Sequence, residues 1–526
     1  MSSDTKRRRV GEGGCGGDGI PPVDGGYQND NTSVQQELIE MKSKMNELMG
    51  NMTNMLQMMQ AQSNAINNMQ GDINRLTQKC HSMETSILDS STATSLLRTT
   101  CDRIEDKQKY HDVMLQNQQW KYSAPYPDDD YWTTLDEDED EQAEKFLEQI
   151  KKCTEKMRYG KGDGSIDINS DLPYNQVFQP HWKEFANSLK QYHYHLKHSP
   201  DIVSTLNLWN IKLPENVIDL LSNAFKSTHF QKIDLRNNSF GQKGINFILK
   251  YLRSNRNLKE LSLRQNPIDN INVKKLCKIV QTHPSIKILH LTGCTGDDIN
   301  GYGMLKMIMT AGRNKLEEIY LSNNNISTRG GTFISDFLAT NPSLEVLFLS
   351  GNKLNDNDTI GIAEALKQNT KLCFLNLTSN NNITKTGWKA LRKAEFDDTS
   401  LNATSDCNHS CNIHYPSDGS DVIEDLDIIE MNGDRNFTKA FDPTLVRQKK
   451  IYSVLSSRNR DNSNVGHFDD IHVKLLPNML NSIQKYSNYQ DDNISQVRGH
   501  VQPLSIVYDI CRNWEESIAV FEALSS

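Results

Sequence analysis

Two hydrophobic periods divide this chain. The first begins at Leu38, where apolar side chains recur in alternating steps of three and four: Leu38, Met41, Met45, Leu48, Met52, Met55, Met59, Ile66, Met69, Ile73 and Leu76, then Cys80, Met83 and Ile87, with polar Gln62 as the one interruption. A 3.5-residue period held for about seven heptads puts one apolar seam on a helix and predicts a left-handed coiled coil over residues 34–116. With Leu38 at a, Gly50 and Gly71 fall at f, the outermost position. There a glycine weakens the helix by about 1 kcal/mol and leaves the seam intact. Apolar Met49, Leu56 and Met58 at e and g widen the sticky face and predict self-association in more than two strands. The same register runs on to Leu115 with a wetter core, and the low-propensity run SSTATS, 90–95, predicts a break.

The second period begins near residue 200. Short apolar pairs recur as LNL, IDL, LSL, LHL, IYL, LFL and LNL, ending at Leu208, Leu235, Leu263, Leu291, Leu321, Leu349 and Leu377, with spacings of 27, 28, 28, 30, 28 and 28 residues. Three residues after the closing leucine stands Asn238, Asn266, Cys294, Asn324, Asn352 or Asn380; the first unit has Ile211. The unit matches L-x-x-L-x-L-x-x-N/C-x-L, the leucine-rich repeat. Each coil then reads as a helix, as in Ile245, Ile248, Leu249 and Leu252, or Ile362, Ala365 and Leu366. A buried turn needs partners for its backbone, and a side-chain amide that both donates and accepts can bridge successive coils. Of the three asparagines in EEIYLSNNNIS, Asn324 should therefore face in, and Asn323 and Asn325 out.

A 28-residue strand–turn–helix unit resembles the ribonuclease-inhibitor-like class of leucine-rich repeats over about 200–400. That implies an α/β solenoid, a horseshoe, with an N-terminal coiled coil and a C-terminal helical region. The flanks PHWKEFANSL and SSRNRDNSNVGHFDDIHVKLLPNMLNSIQKY, with LSIVYDICRNWE, resemble those of leucine-rich repeat proteins numerous in diatoms, a family with no assigned chemistry. The remaining boundaries follow composition: a Gly-rich basic tail at 1–33, an acidic linker at 117–175, a cap helix at 176–202 with Trp182, Phe185, Leu189 and Tyr192 on one face, repeats at 203–400, an irregular loop at 401–441 and helices at 442–526.

In a strand the side chains alternate, so the residues around each L-x-L leucine line the concave face. They form a basic end, Trp209, Lys232, Arg236 and Arg264, and an aromatic end, Ile288, His290, Tyr320, Val346, Phe348 and Phe374. Aromatics and arginines anchor protein interfaces, and an exposed apolar cluster calls for a partner or for cover by the C-terminal helices.

Composition narrows the function. The chain is 36% hydrophobic with a net charge of −9, which argues against nonspecific nucleic-acid binding. No apolar run is long enough to span a membrane, and the basic N-terminus lacks a signal's apolar core. Ten scattered cysteines read as reduced thiols, placing the protein in cytoplasm or nucleus; Lys6–Arg9 offers an import signal or a plain solvated tail. Cys407, His409, Cys411 and His414 fit no zinc spacing, GKGDGS (160–165) is no phosphate loop, and no nucleophile–base signature occurs. The expectation is a non-enzymatic scaffold without cofactor or metal, binding a protein partner and joining copies through the coiled coil. The alternatives are a GTPase activator, since Ran GTPase-activating proteins also resemble this array with an acidic stretch, and a structural self-assembling coiled-coil protein.

Overall fold

A computed structural model describes residues 31–84, 91–160, 163–199, 202–296, 298–310, 315–416, 442–460, 473–486 and 506–507. The basic tail with Lys6–Arg9, most of the loop before residue 442 and much of the C-terminal region, including nearly all of LSIVYDICRNWE, lie outside these residues. Two compact units divide between Lys109 and Tyr110.

The first unit holds helix α1 (Asn31–Glu84) and most of α2 (Ser91–Gln119). The apolar stripe of α1 faces solvent: Leu38 is 53% exposed and Met41 65%. Helix α1 ends at Glu84 and Ser91–Ser95 form the first turn of α2; the residues between, including Ser90 of the SSTATS run, lie outside the described ones. A serine or threonine is a poor interior residue but a good helix starter.

The second unit is a solenoid. Its sheet is parallel and nine-stranded, in sequence order: β1 (Ser165–Asn169), β2 (Thr205–Trp209), β3 (Lys232–Asp234), β4 (Glu260–Ser262), β5 (Ile288–His290), β6 (Glu318–Tyr320), β7 (Val346–Phe348), β8 (Phe374–Asn376) and β9 (Asn412–His414). The leucines stack in register, Leu261 on Leu289 on Ile319 on Leu347, all buried. Before the repeats stand α3 (Asp129–Trp132), α4 (Glu137–Tyr159) and α5 (Gln179–His198). Between strands run α6 (Glu215–Ala224), α7 (Gln242–Ser254), α8 (Asn270–Thr282), α9 (Asp298–Thr310), α10 (Phe333–Ala339) and α11 (Asp356–Leu366). After β8 come α12 (Lys385–Glu395) and α13 (Leu401–Asp406), and after β9 α14 (Pro443–Arg460) and α15 (Leu476–Tyr486).

Two expectations need correction. Residues 117–175 are not a linker. Ala143, Phe146, Leu147, Ile150, Cys153 and Met157 recur at helical spacing on α4 and are buried against the cap, where Phe146 packs on Phe178 and Trp182. The carboxylates take the outer face and the first turn, where Asp136 and Glu139 close a capping box. Strand β1 then adds Ile166 and Ile168 to the leucine rows. The cap thus reaches back to the end of α2, where Tyr110 stacks on His198 and Asn117 donates to the Arg158 carbonyl. Residues 401–416 are not an irregular loop either. They make α13 and β9, a short final coil in which Asn408 donates to Leu366 O and Asn369 O at 2.7 Å.

Beyond it lies a second apolar core, in which Phe396 and Leu401 receive Ile451, Val454 and Leu455 of α14 and Leu476, Met479 and Ile483 of α15. Buried Lys450 ties α14 to the array by donating to Glu395 O (2.5 Å) and Asn408 O (2.8 Å). Burial lowers its ammonium pKa.

Candidate functional site

A ladder of Asn and Cys side chains ties each coil of the sheet to the next. Each buried Asn amide donates to a carbonyl of the preceding coil and to at least one carbonyl of its own coil. Asn238 reaches Leu208 O and Leu235 O, Asn266 reaches Leu235 O and Leu263 O, Asn324 reaches Leu291 O and Leu321 O, Asn352 reaches Leu321 O and Leu349 O, and Asn380 reaches Leu349 O and Leu377 O. Their oxygens accept from backbone N–H groups one coil earlier, such as Ile211 N on Asn238 and Leu354 N on Asn380. Cys294 donates its thiol to Leu263 O at 3.0 Å, and burial pushes that thiol up to about 12.

The residue just before each ladder position lies at positive φ: Asn210, Asn237, Gln265, Gly293, Asn323, Gly351 and Ser379. Asn325 does too, at φ 51, and it is half-buried while Asn323 is exposed. Asparagine tolerates left-handed backbone better than most side chains, which explains the flanking asparagines better than exposure alone. At Gly351 a Cβ would lie 1.9 Å from Asn323 Oδ1.

A second polar row went unread in the sequence. Thr228, Asn255, His283, Asn369 and Asn408 follow α6, α7, α8, α11 and α13, and each binds a carbonyl of the preceding coil, as in Asn255 to Phe230 O and His283 to Asn255 O. Their spacing of 27 and 28 residues, from Thr228 to Asn255 to His283, was the available signal.

On the concave face the two predicted ends differ in kind. The basic end is largely neutralised. Arg236 pairs with Asp234 and lies over the Trp209 ring at 4.4 Å; Lys232 pairs with Glu260 at 2.9 Å, and His290 Nε2 stands 3.6 Å from the same carboxylate. His290 and Lys232 together hold the Glu260 carboxyl down to about 2. Arg264, half-buried, makes no ion pair with any described residue. Beside it the Ser262 hydroxyl is buried with no hydrogen-bond partner among the described residues, as is the Trp209 indole N–H.

The aromatic end is a stack. His290 lies on Tyr320 with centroids 4.0 Å apart and planes 21° apart, and Tyr320 lies on Phe348 at 4.8 Å and 18°. Phe374 tilts against Phe348 at 5.2 Å and against His414 at 6.2 Å. Adjacent parallel strands hold side chains of one row about 4.8 Å apart, the spacing that ring stacking wants. Tyr320 donates to Glu318 Oε2 at 2.7 Å; burial, then Glu318, raises its hydroxyl pKa. Val346 and Phe374 are buried, so they form the floor of this face, while Ile288, His290, Tyr320 and Phe348 are half-exposed. Among the described residues no group of three or more His, Cys, Asp or Glu is placed to hold a metal ion. None of their helices is long and apolar enough to cross a membrane.

Against known families, residues 315–338 match the Leucine Rich Repeat and residues 254–277 the Leucine Rich repeat of a second family. Two coils of the solenoid thus match leucine-rich repeats. The two matched segments carry Asn324 and Asn266, and each begins just before its strand and ends in its helix. A comparison with curated proteins finds no match. Leucine-rich repeats generally serve protein–protein interaction, which makes the concave face the first place to look for a partner.

Proposed function

We propose that this protein is a non-enzymatic scaffold. It takes a protein partner on the concave face of a ribonuclease-inhibitor-like horseshoe and multiplies that site by joining copies through a coiled coil on α1. The observation that carries the reading is the ring stack of His290, Tyr320 and Phe348 on three adjacent strands, with Arg264 beside it. Stacked rings on a rigid sheet offer broad contact area at little entropic cost, and an arginine without an internal counter-charge favours an acidic group in the partner. Joined copies raise the effective concentration of the site by roughly 10² to 10⁴ when the partner is also repeated.

The test is affinity capture with the full chain beside its His290→Ala/Tyr320→Ala/Phe348→Ala variant and an Arg264→Glu variant, each shown folded by circular dichroism. A protein held by the parent and lost by both variants supports the reading. A captured set identical for all three chains removes the concave face as the site.

A further inference from the structure

The charge on this chain is segregated. Residues 241–284, spanning α7, β4 and α8, hold nine Lys and Arg against two Asp and Glu, in a protein of net charge −9. Lys250, Arg253, Arg256, Lys274, Lys275 and Lys278 are all exposed and none makes an ion pair with a described residue. Within the segment Lys243 does pair with Asp219, as outside it Lys287 pairs with Glu317 and Lys367 with Glu364. Between α7 and α8 Arg253, Arg256, Lys275 and Lys278 rim a cleft of about 500 Å³ floored by Leu252 and Ile279. Beside it Ile271 is 67% exposed. Helix dipoles favour cations in a last turn, which accounts for Arg253, but Lys274 and Lys275 lie in the first half of α8, so helix capping does not explain the patch.

The opposite charge stands at the cap. Residues 127–148 hold eleven Asp and Glu against one lysine, Lys145, which pairs with Glu141. Asp128, Asp129, Asp130, Glu137, Asp138, Glu144 and Glu148 are exposed, and Tyr126, 62% exposed, stacks on Trp132 at the edge of this face. In one molecule α5 and α6 separate α4 from α7, so the two faces cannot meet within a chain.

We propose that the acidic α3–α4 face of one molecule docks on the basic α7–α8 face of a second copy. The two faces match in charge, and each carries an apolar contact, Tyr126 on one and Ile271 on the other. The contact is head-to-tail, so each bound copy presents both faces again, and copies add as a ring or an open chain to whatever oligomer the seam of α1 makes. It is independent of the concave face.

The experiment is sedimentation velocity on the full chain at ~50 mM and ~500 mM NaCl, where surface charge pairs are strong and then screened. The expected result is a weight-average mass at least about twofold higher at low salt, since the apolar seam persists at both. The base-reversed variant, Arg253→Glu/Arg256→Glu/Lys275→Glu/Lys278→Glu, and the acid-reversed variant, Asp129→Lys/Asp130→Lys/Asp138→Lys/Glu144→Lys, each lose that excess alone and regain it when mixed. Gln at the same eight positions, a milder change, reduces the excess without reversing charge. A wild-type mass that ignores salt, or a mixture of folded reversed variants that fails to regain the excess, overturns the proposal.

Discussion

The side-chain oxygen of Asn324 accepts hydrogen bonds from the backbone N–H groups of both Cys294 and Thr295, each at 2.8 Å. One amide therefore closes the turn of the preceding coil while its nitrogen serves Leu291 O and Leu321 O. Removing it strands three buried backbone groups, the N–H groups of Cys294 and Thr295 and the carbonyl of Leu291, while Leu321 O keeps Asn352. Asn324→Ala should cost about 3 kcal/mol or more in urea unfolding, because each buried orphan costs about 1–3 kcal/mol. Cys294→Asn should stay within about 1 kcal/mol of the parent, since it supplies an acceptor for Asn266 N in place of the weaker thiol donor. A loss at Cys294→Asn as large as that at Asn324→Ala would contradict this account of the ladder.

The exposed stripe on α1 should govern assembly. Met52→Lys/Met55→Lys places charges in the middle of the seam and should shift the full chain toward monomer in light scattering at micromolar concentration. Gly50 has nothing within 4 Å of an added Cβ. Gly50→Ala should therefore raise helix stability by about 1 kcal/mol and leave the assembled mass unchanged.

Acid should weaken the solenoid. Burial lowers the imidazole pKa of His181, His195, His229 and His283 below 6.5, and burial followed by Lys450 lowers that of His409 to about 3. In each case the unfolded chain binds the proton more readily than the folded one, so stability is full above about pH 6.5 and falls as pH drops below it. His283 shows why. Its Nδ1 accepts from Ser285 N and Ile286 N, and a proton there removes both bonds. Urea midpoints at successive pH values should decline from about pH 6.5 downward, and His283→Asn should flatten part of the slope. A midpoint unchanged down to pH 5 would show these imidazoles to be accessible in the folded chain.

Much of this was readable because the repeat is a long-range signal. Seven strand cores with an Asn or Cys three residues on fix the coil length, the inward rows and the concave rows without knowledge of any contact. The ends were harder, because period fails there. Ile168 precedes Leu208 by 40 residues and Leu375 precedes Ile413 by 38, so β1 and β9 fall off the 28-residue spacing. The acidic run masked α4, whose apolar face shows only when Ala143, Phe146, Leu147 and Ile150 are read apart from the carboxylates between them. Residue type singled out Lys232 and Arg236. Their neutralisation depends on Glu260 and Asp234, neighbours that become visible only once strands are laid side by side. The buried position of Phe374 likewise depends on the rings of Phe348 and His414 in adjoining coils.

Each strand of the sheet pairs only with the strands before and after it in sequence. Most tertiary contacts in the array therefore span about one coil of chain rather than the whole domain, and such topologies order by growth from a nucleus rather than by one concerted closure. A nascent chain leaving the ribosome can complete the cap and β1 to β3 while β8 is still unmade. The same modularity makes the coil a unit of heredity: a duplicated or lost 28-residue segment leaves every remaining amide facing a carbonyl of the kind it faced before.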